Sequence, residues 1–171
     1  MTPDLPAVEL AIVQKTNDFR RANQLDGLRL NARLDKAARG FAWYLARTGK
    51  FSHTADGRSH SARIKSAGYK YCITVENLAL HGDSRGFRAA QLAQDALTGW
   101  KKSPGHRKNL LRKYVTEIGI GVAKHRLSIA TSLSSFLDAL RCSSIVFALR
   151  TDHPLQCAIH LMVERVRYRC A

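Results

Sequence analysis

Two histidines and one glutamate lie in polar segments that are flanked by turn-forming residues. They are His53, Glu76 and His106. An imidazole is a neutral metal ligand that titrates near neutrality, and a carboxylate adds negative charge. Together they could bind a divalent cation such as Zn²⁺ or transfer protons. Their separations of 23 and 30 residues match no local ligand motif. Only the fold can bring them together, and the alternative is three unrelated exposed or capping residues.

Length and composition limit the class of protein. The chain has 171 residues, enough for one domain, with 45% hydrophobic and 24% charged residues. These values exclude wholesale disorder, a collagen-like repeat and a disulfide-rich miniprotein. With 28 Lys and Arg against 13 Asp and Glu, the formal charge is +15. The excess favours anionic partners, namely nucleic acid, phospholipid headgroups or acidic polysaccharide.

Helical periodicity and capping residues predict the elements that must position these side chains. Apolar residues recur at helical spacing from Ala7 to Gln24, and a second helix begins after the N-cap Asn31 and ends at Gly49. A short helix spans Ser61–Ala67, and a longer one runs from Asp83 or Ser84 to Trp100. We expect Pro104-Gly105 to end this helical region.

Two strands are predicted. Glu117–Ala123 alternates branched residues with Gly119 and Gly121, which predicts a strand whose glycine face lets another element approach closely. This favours a sheet covered on both sides. Thr74–Leu80 is the second strand or an extended segment.

The segment after Lys124 differs in composition from the rest. It has no Gly or Lys and holds three of the four cysteines. Patterns there conflict: Leu133–Leu140 favours a helix, while Ser143–Leu149 and Ala158–Val166 fit a strand or a helix. We therefore predict a domain over residues 7–124 and an atypical tail over 125–171, which is either an out-of-frame translation or a lineage-specific extension.

Sequence gives conflicting signals on location. No apolar stretch approaches the roughly 20 residues of a membrane span. The N-terminus lacks the basic and apolar regions of a secretory signal, so either the protein is cytoplasmic or its export signal lies outside this sequence. Cys72 is the single cysteine before residue 125, so any disulfide that it forms within the chain needs a partner from the tail.

The order of several blocks resembles the CAP superfamily of cysteine-rich secretory, antigen 5 and pathogenesis-related proteins, in its bacterial branch. The similarity covers residues 8–124. Its blocks are Asn17–Arg20, Leu28–Asn31, Gly49–His53, Glu76–Ala79, Gly99–Leu111 and Thr116–Gly121.

The resemblance implies an α+β fold, a three-layer α-β-α sandwich whose cleft holds two histidines and two acids. His53, Glu76 and His106 match three of those four positions. We align Ser103 with the fourth, a glutamate in many relatives. Three ligands and a water still make an open zinc site, whereas no nucleophile beside the histidines supports a serine triad. The aromatic-rich final strand of the family has no counterpart after Lys124, so we expect it to be missing or replaced.

A basic segment surrounds His106. It contains Lys101, Lys102, Arg107, Lys108, Arg112 and Lys113. These cations form a solvated face or hold phosphate or sulfate groups near the site. Few aromatic residues alternate with them, which disfavours single-stranded nucleic acid.

Three functional hypotheses follow. The first is an extracellular or periplasmic binding or interaction module of the bacterial envelope, expected to be monomeric, whose cleft holds Zn²⁺, another divalent cation or a small polar ligand. Its partner would be an anionic lipid or polysaccharide. The second is a hydrolase in which a metal on His53, Glu76 and His106 activates water to cleave a peptide or ester, with one of these residues or Ser103 orienting the substrate. The third is a basic nucleic-acid-binding protein, which charge alone supports.

Overall fold

The computed structural model describes residues 4–83, 88–125 and 155–164. These residues form five helices and four strands. In chain order they are α1 Leu5–Arg21, β1 Arg29–Leu30, α2 Ala32–Thr48, α3 His60–Ser66, β2 Thr74–Asp83, α4 Ala89–Lys102, α5 Pro104–Leu110, β3 Glu117–His125 and β4 Leu155–Glu164.

Helix α2 is bounded by the two local signals that the sequence predicts. The Asn31 side chain accepts hydrogen bonds from the backbone N–H groups of Arg33 and Leu34, which satisfies donors that have no partner within the helix. Gly49 ends the helix in the left-handed conformation at φ 68°, where a residue without Cβ is favoured. The chain then turns towards His53.

The other helices differ from prediction at their ends. Helix α1 begins at Leu5 and ends at Arg21 rather than spanning Ala7–Gln24. The start of α4 at Asp83 or Ser84 is wrong, because β2 continues to Asp83 and α4 begins at Ala89. Pro104-Gly105 does not end the helical region. Instead Pro104 opens α5, since its fixed φ and missing N–H suit the first helical turn.

The four strands form one sheet in the order β1-β3-β4-β2. Strand β1 runs parallel to β3, whereas β4 is antiparallel to both β3 and β2. Strand β4 lies within the predicted tail, so a strand from that segment occupies the sheet and its final strand is not missing. The predicted helix Leu133–Leu140 and the segment Ser143–Leu149 lie outside the described residues.

The sheet is covered on both sides, as the glycine pattern predicts. One face of β3 packs Ile118, Ile120 and Val122 into a core with α1 and α4. On the other face, a Cβ at Gly119 or Gly121 would overlap the backbone of α2. The glycines therefore let α2 lie directly against β3, which gives the three layers of an α-β-α sandwich.

A buried arginine ties α1 to the region that follows α5. The Arg20 side chain is 1% exposed and donates to the backbone oxygens of Asp26, Leu110 and Arg112. Desolvation lowers its pKa, and the nearby Asp26 opposes that effect. These contacts position α5, which carries His106.

Two further observations concern location. No helix in the described part of the chain is long and apolar enough to cross a membrane. Cys72, in the loop before β2, is disulfide-bonded.

Candidate functional site

Glu76 is a buried carboxylate near the start of β2. Its side chain is 2% exposed, and burial of an unpaired carboxylate would be costly. Both oxygens are engaged: Oε1 lies 2.6 Å from Nδ1 of His53, and Oε2 accepts from the Arg63 guanidinium at 2.7 Å. The sequence interpretation that His53 and Glu76 share a site is consistent with this contact.

His53 lies in the loop that joins α2 to α3. Its side chain is 54% exposed, although Nδ1 contacts the buried Glu76. Arg63 donates to the backbone oxygen of His53 at 3.0 Å, and Tyr44 donates to that of Ala55 at 3.1 Å. These bonds fix the loop. When Nδ1 carries the proton and donates it to Glu76, Nε2 is left to face a ligand.

Arg63 connects two buried acids beneath the loop. Its side chain is 3% exposed and pairs with Asp56 at 2.9 Å as well as with Glu76. Arg63 also donates to the backbone oxygen of Arg58, and its guanidinium stacks on the Phe41 ring at 3.5 Å. Four hydrogen bonds thus hold one cation between α2, α3 and β2, and this network positions Glu76 and His53.

His106 lies on α5, which hydrogen bonds hold against β2 beside Glu76. Asn77, which follows Glu76 and is fully buried, donates to the backbone oxygen of His106 at 3.1 Å. Asn109 donates to the Asn77 side chain and to the backbone oxygen of Glu76. The two asparagines join α5 to β2, so His106 cannot move away from Glu76 without breaking these partly buried hydrogen bonds.

Electrostatics supports the proximity of the two histidines. Burial lowers the pKa of His106, and the positive charge of His53 lowers it further. His106 therefore stays neutral more readily than a free imidazole. In the described residues its ring makes no hydrogen bond, which leaves both nitrogens for a ligand.

Ser103 lies between α4 and α5. It is half-buried, and its backbone oxygen accepts from Arg107 as α5 begins. Within the described ranges no hydrogen bond joins its hydroxyl to His53, Glu76 or His106. A role for Ser103 at the fourth position stays a prediction.

The cations near His106 gather around an aromatic ring of α1. Lys101 of α4 and Arg107 of α5 lie 4.4 and 5.1 Å from the centre of the Phe19 ring. No ion pair joins Lys101, Lys102, Arg107 or Lys108 to an acid in the part of the chain that the structure describes. This face next to His106 is therefore positively charged.

The donor set does not fit a metal ion in this arrangement. Among the described residues, no group of three or more His, Cys, Asp or Glu side chains could hold one. Glu76 is engaged by Arg63 and His53, and a guanidinium beside a metal ligand would repel the ion. Metal binding by His53, Glu76 and His106 stays a prediction, and it requires Glu76 to leave one of these partners.

Sequence reasoning missed the residues that hold the site together. Arg63, Asp56, Asn77 and Asn109 were given no role, although Asn77 and Asn109 stand within the blocks that carry the resemblance. In the sequence, the one local signal at Arg63 is its place beside the apolar Ile64. In the structure, both residues are buried on the seven-residue helix α3. A buried arginine needs acceptors nearby, either carboxylates, as at Arg63, or backbone oxygens, as at Arg20.

The fold is a three-layer sandwich in which the loop after α2 carries His53, β2 carries Glu76 and α5 carries His106. Comparison with known proteins identifies its family. Residues 13–130 match the family model "CAP: Cysteine-rich secretory protein family". Because this match covers more than half of the chain, the protein belongs to the CAP family.

Its relatives are bacterial. The chain is 29% identical over 116 residues to the uncharacterized protein YkwD of Bacillus subtilis, covering 67% of this chain and 42% of the relative. An extracellular protein of Bacillus anthracis that contains an SCP domain is 20% identical with a TM-score of 0.66, over 95% of this chain and 41% of that one. An outer surface protein of Borrelia burgdorferi is 18% identical with the same TM-score of 0.66, over 93% of both chains. The chain thus spans less than half the length of the two Bacillus proteins.

Proposed function

We propose that this CAP domain is a binding module whose cleft binds a small polar anion between His53 and His106. The observation that carries the proposal is the engagement of Glu76 by Arg63 and His53. A carboxylate that is neutralised in this way serves to orient an imidazole. It does not add negative charge that would repel an anion.

The two histidines supply the binding groups. Nε2 of His53 and the ring of His106 donate to an anion when the imidazoles are protonated. Since a bound anion favours the charged form of each ring, it opposes the effects that lower the pKa of His106. Binding should therefore become tighter as the pH falls below 6.5, the ordinary value for histidine.

The positive face beside His106 favours the same kind of ligand. Lys101, Lys102, Arg107 and Lys108 attract an anion towards the cleft, and salt screens this attraction. An anionic group on an envelope lipid or polysaccharide would satisfy both the cleft and the face.

We further propose that the protein works outside the cytoplasm, in an extracellular or periplasmic location. Two relatives of the same fold are described as an extracellular protein and an outer surface protein. The disulfide of Cys72 supports this proposal, because such bonds persist in oxidising compartments.

Calorimetric titration with inorganic phosphate at constant ionic strength tests the cleft. We expect His53→Ala and His106→Ala each to weaken phosphate binding about tenfold, the loss of one charge-assisted hydrogen bond. His60→Ala is the matched control, since His60 begins α3 and none of the hydrogen bonds described at His53, Glu76 and His106 involves it. Equal phosphate affinity in the wild type and both cleft variants would overturn the proposal. Zn²⁺ binding that requires both histidines and Glu76 would favour the metal site instead.

A further inference from the structure

A cavity lies between α2, α3 and the turn at residues 56–58. Its volume is about 290 Å³, which is at the lower end of the range for small-ligand pockets. None of His53, Glu76 and His106 lines it, so it is separate from the cleft. Arg63 belongs to both places, because it lines this cavity and binds Glu76.

Aromatic side chains of α2 form the apolar wall. Phe41, Trp43 and Tyr44 line the cavity, and Phe41 and Tyr44 are stacked with ring centres 6.4 Å apart. Trp43 is 59% exposed. The Arg47 guanidinium lies over the Trp43 ring, 4.8 Å from its centre. The wall suits a flat apolar or aromatic body.

The charge of the lining is positive. Lys36, Arg58 and Arg63 line the cavity, against the single acid Asp56. Asp56 is already engaged, since Oδ1 accepts from Arg63 and Oδ2 accepts from Arg58. Lys36 is exposed and forms no ion pair with any described acid, and the buried Nε of Arg63 has no partner there either. The cavity therefore has an excess of donors and cations over acceptors.

We propose that this cavity binds a small aromatic carboxylate. Its ring would pack on Trp43 and Tyr44, and its carboxylate would pair with Lys36 and Arg58. Both halves of the ligand follow from the lining: the aromatic wall selects the ring, and the unbalanced cations select the negative charge.

Two glycines provide a matched pair of variants. Gly40 lines the cavity, Gly99 lies on an exposed part of α4, and a Cβ at either position meets no atom within 4 Å. Gly40→Leu therefore fills the cavity without a clash at Cβ, and Gly99→Leu makes the same change elsewhere. Both changes raise helix propensity, so neither should unfold the protein.

Tryptophan fluorescence reports on the site. The chain has two tryptophans, and Trp100 is 1% exposed, so a change in exposed-tryptophan emission comes from Trp43. Trp43 also borders a cavity of about 500 Å³ beside Leu5 and Lys124, but Gly40 does not line that one. Gly40→Leu thus distinguishes the two cavities.

The experiment is a titration with sodium benzoate, with benzyl alcohol as the neutral analogue. We expect a saturable change in emission, with benzoate at least about tenfold tighter than benzyl alcohol, an effect of one charge pair. Gly40→Leu should abolish the change, Gly99→Leu should retain it, and Lys36→Met should remove the preference for benzoate. Saturable binding of benzoate to Gly40→Leu with unchanged affinity, or no saturable change in the wild type, would overturn the proposal.

Discussion

The contribution of Arg63 to the stability of the folded protein can be tested by replacing it with a side chain of similar length and no charge. Arg63→Met removes four hydrogen bonds, to Asp56, the backbone oxygens of Arg58 and His53, and Glu76. Among the described contacts, Arg58 still pairs with Asp56 and His53 with Glu76. The substitution therefore leaves two buried carboxylates only partly compensated.

The expected cost is large. Breaking a buried ion pair from one side typically costs about 3–5 kcal/mol, and the acids here are 6% and 2% exposed. For a chain of this length we expect the melting temperature to fall by roughly 10 °C or more. Arg58→Met is the matched control. Arg58 binds the same Asp56 at 3.1 Å, but its side chain is 55% exposed, and exposed pairs contribute about 0–1 kcal/mol.

The pH dependence of this loss identifies its cause. Without Arg63, Asp56 and Glu76 lose a buried cationic partner, and this loss costs most where the carboxyl groups are ionised. Lowering the pH neutralises carboxyl groups, so it should reduce that cost. Urea unfolding should therefore show a larger gap between the wild type and Arg63→Met at pH 7 than at pH 4.

A second substitution tests the same cause from the other side. Glu76→Gln in the Arg63→Met background removes the buried charge, so it should recover part of the lost free energy of unfolding. A gap between wild type and Arg63→Met that does not change with pH, or equal losses in Arg63→Met and Arg58→Met, would refute the reasoning.

Three further predictions concern packing, capping and titration. Gly121→Ala should lower the free energy of unfolding by about 3 kcal/mol or more, because the new Cβ overlaps α2. Gly99→Ala should raise it by about 0.5–1 kcal/mol. Equal effects of the two variants in urea unfolding would contradict the close approach of α2 to β3. Asn31→Ala should cost about 1 kcal/mol through loss of the α2 N-cap, and thermal melting that is unchanged would argue against the cap. The pKa of His106 is lowered, so its imidazole takes up a proton more readily in the unfolded chain than in the folded one. Stability should therefore fall as the pH drops below 6.5, and His106→Gln should reduce this fall. An identical pH profile of stability in both proteins would be inconsistent with the burial of His106.

Local signals were enough to predict the elements that carry the site. The bounds of α2 follow from Asn31 and Gly49, which act on the backbone within a few residues of themselves. The alternating glycines of β3 predicted a sheet covered on both faces, because only a close neighbour requires the absence of Cβ. His53, Glu76 and His106 were candidates from their residue types and polar surroundings, the resemblance implied that they share a cleft, and their role as a site stays a prediction.

Long-range packing determines what the sequence did not reveal. Arg63 acquires its role from acids that lie 7 and 13 residues away in the chain, and no periodic pattern encodes that convergence. Helix α5 was missed because a proline that ends one helix can also begin the next. Strand β4 pairs with β2 and β3 from the tail, where the apolar pattern fitted a strand or a helix equally well.

The central claim, that His53 and His106 form one anion-binding cleft, is tested most directly by NMR titration of the histidine rings. The pH titration of each imidazole is recorded with and without inorganic phosphate at constant ionic strength. We expect phosphate to raise the pKa of His106, whereas the ring signals of His60 should not respond to it. A titration of His106 that phosphate does not alter, or a shift of equal size at His60, would contradict it.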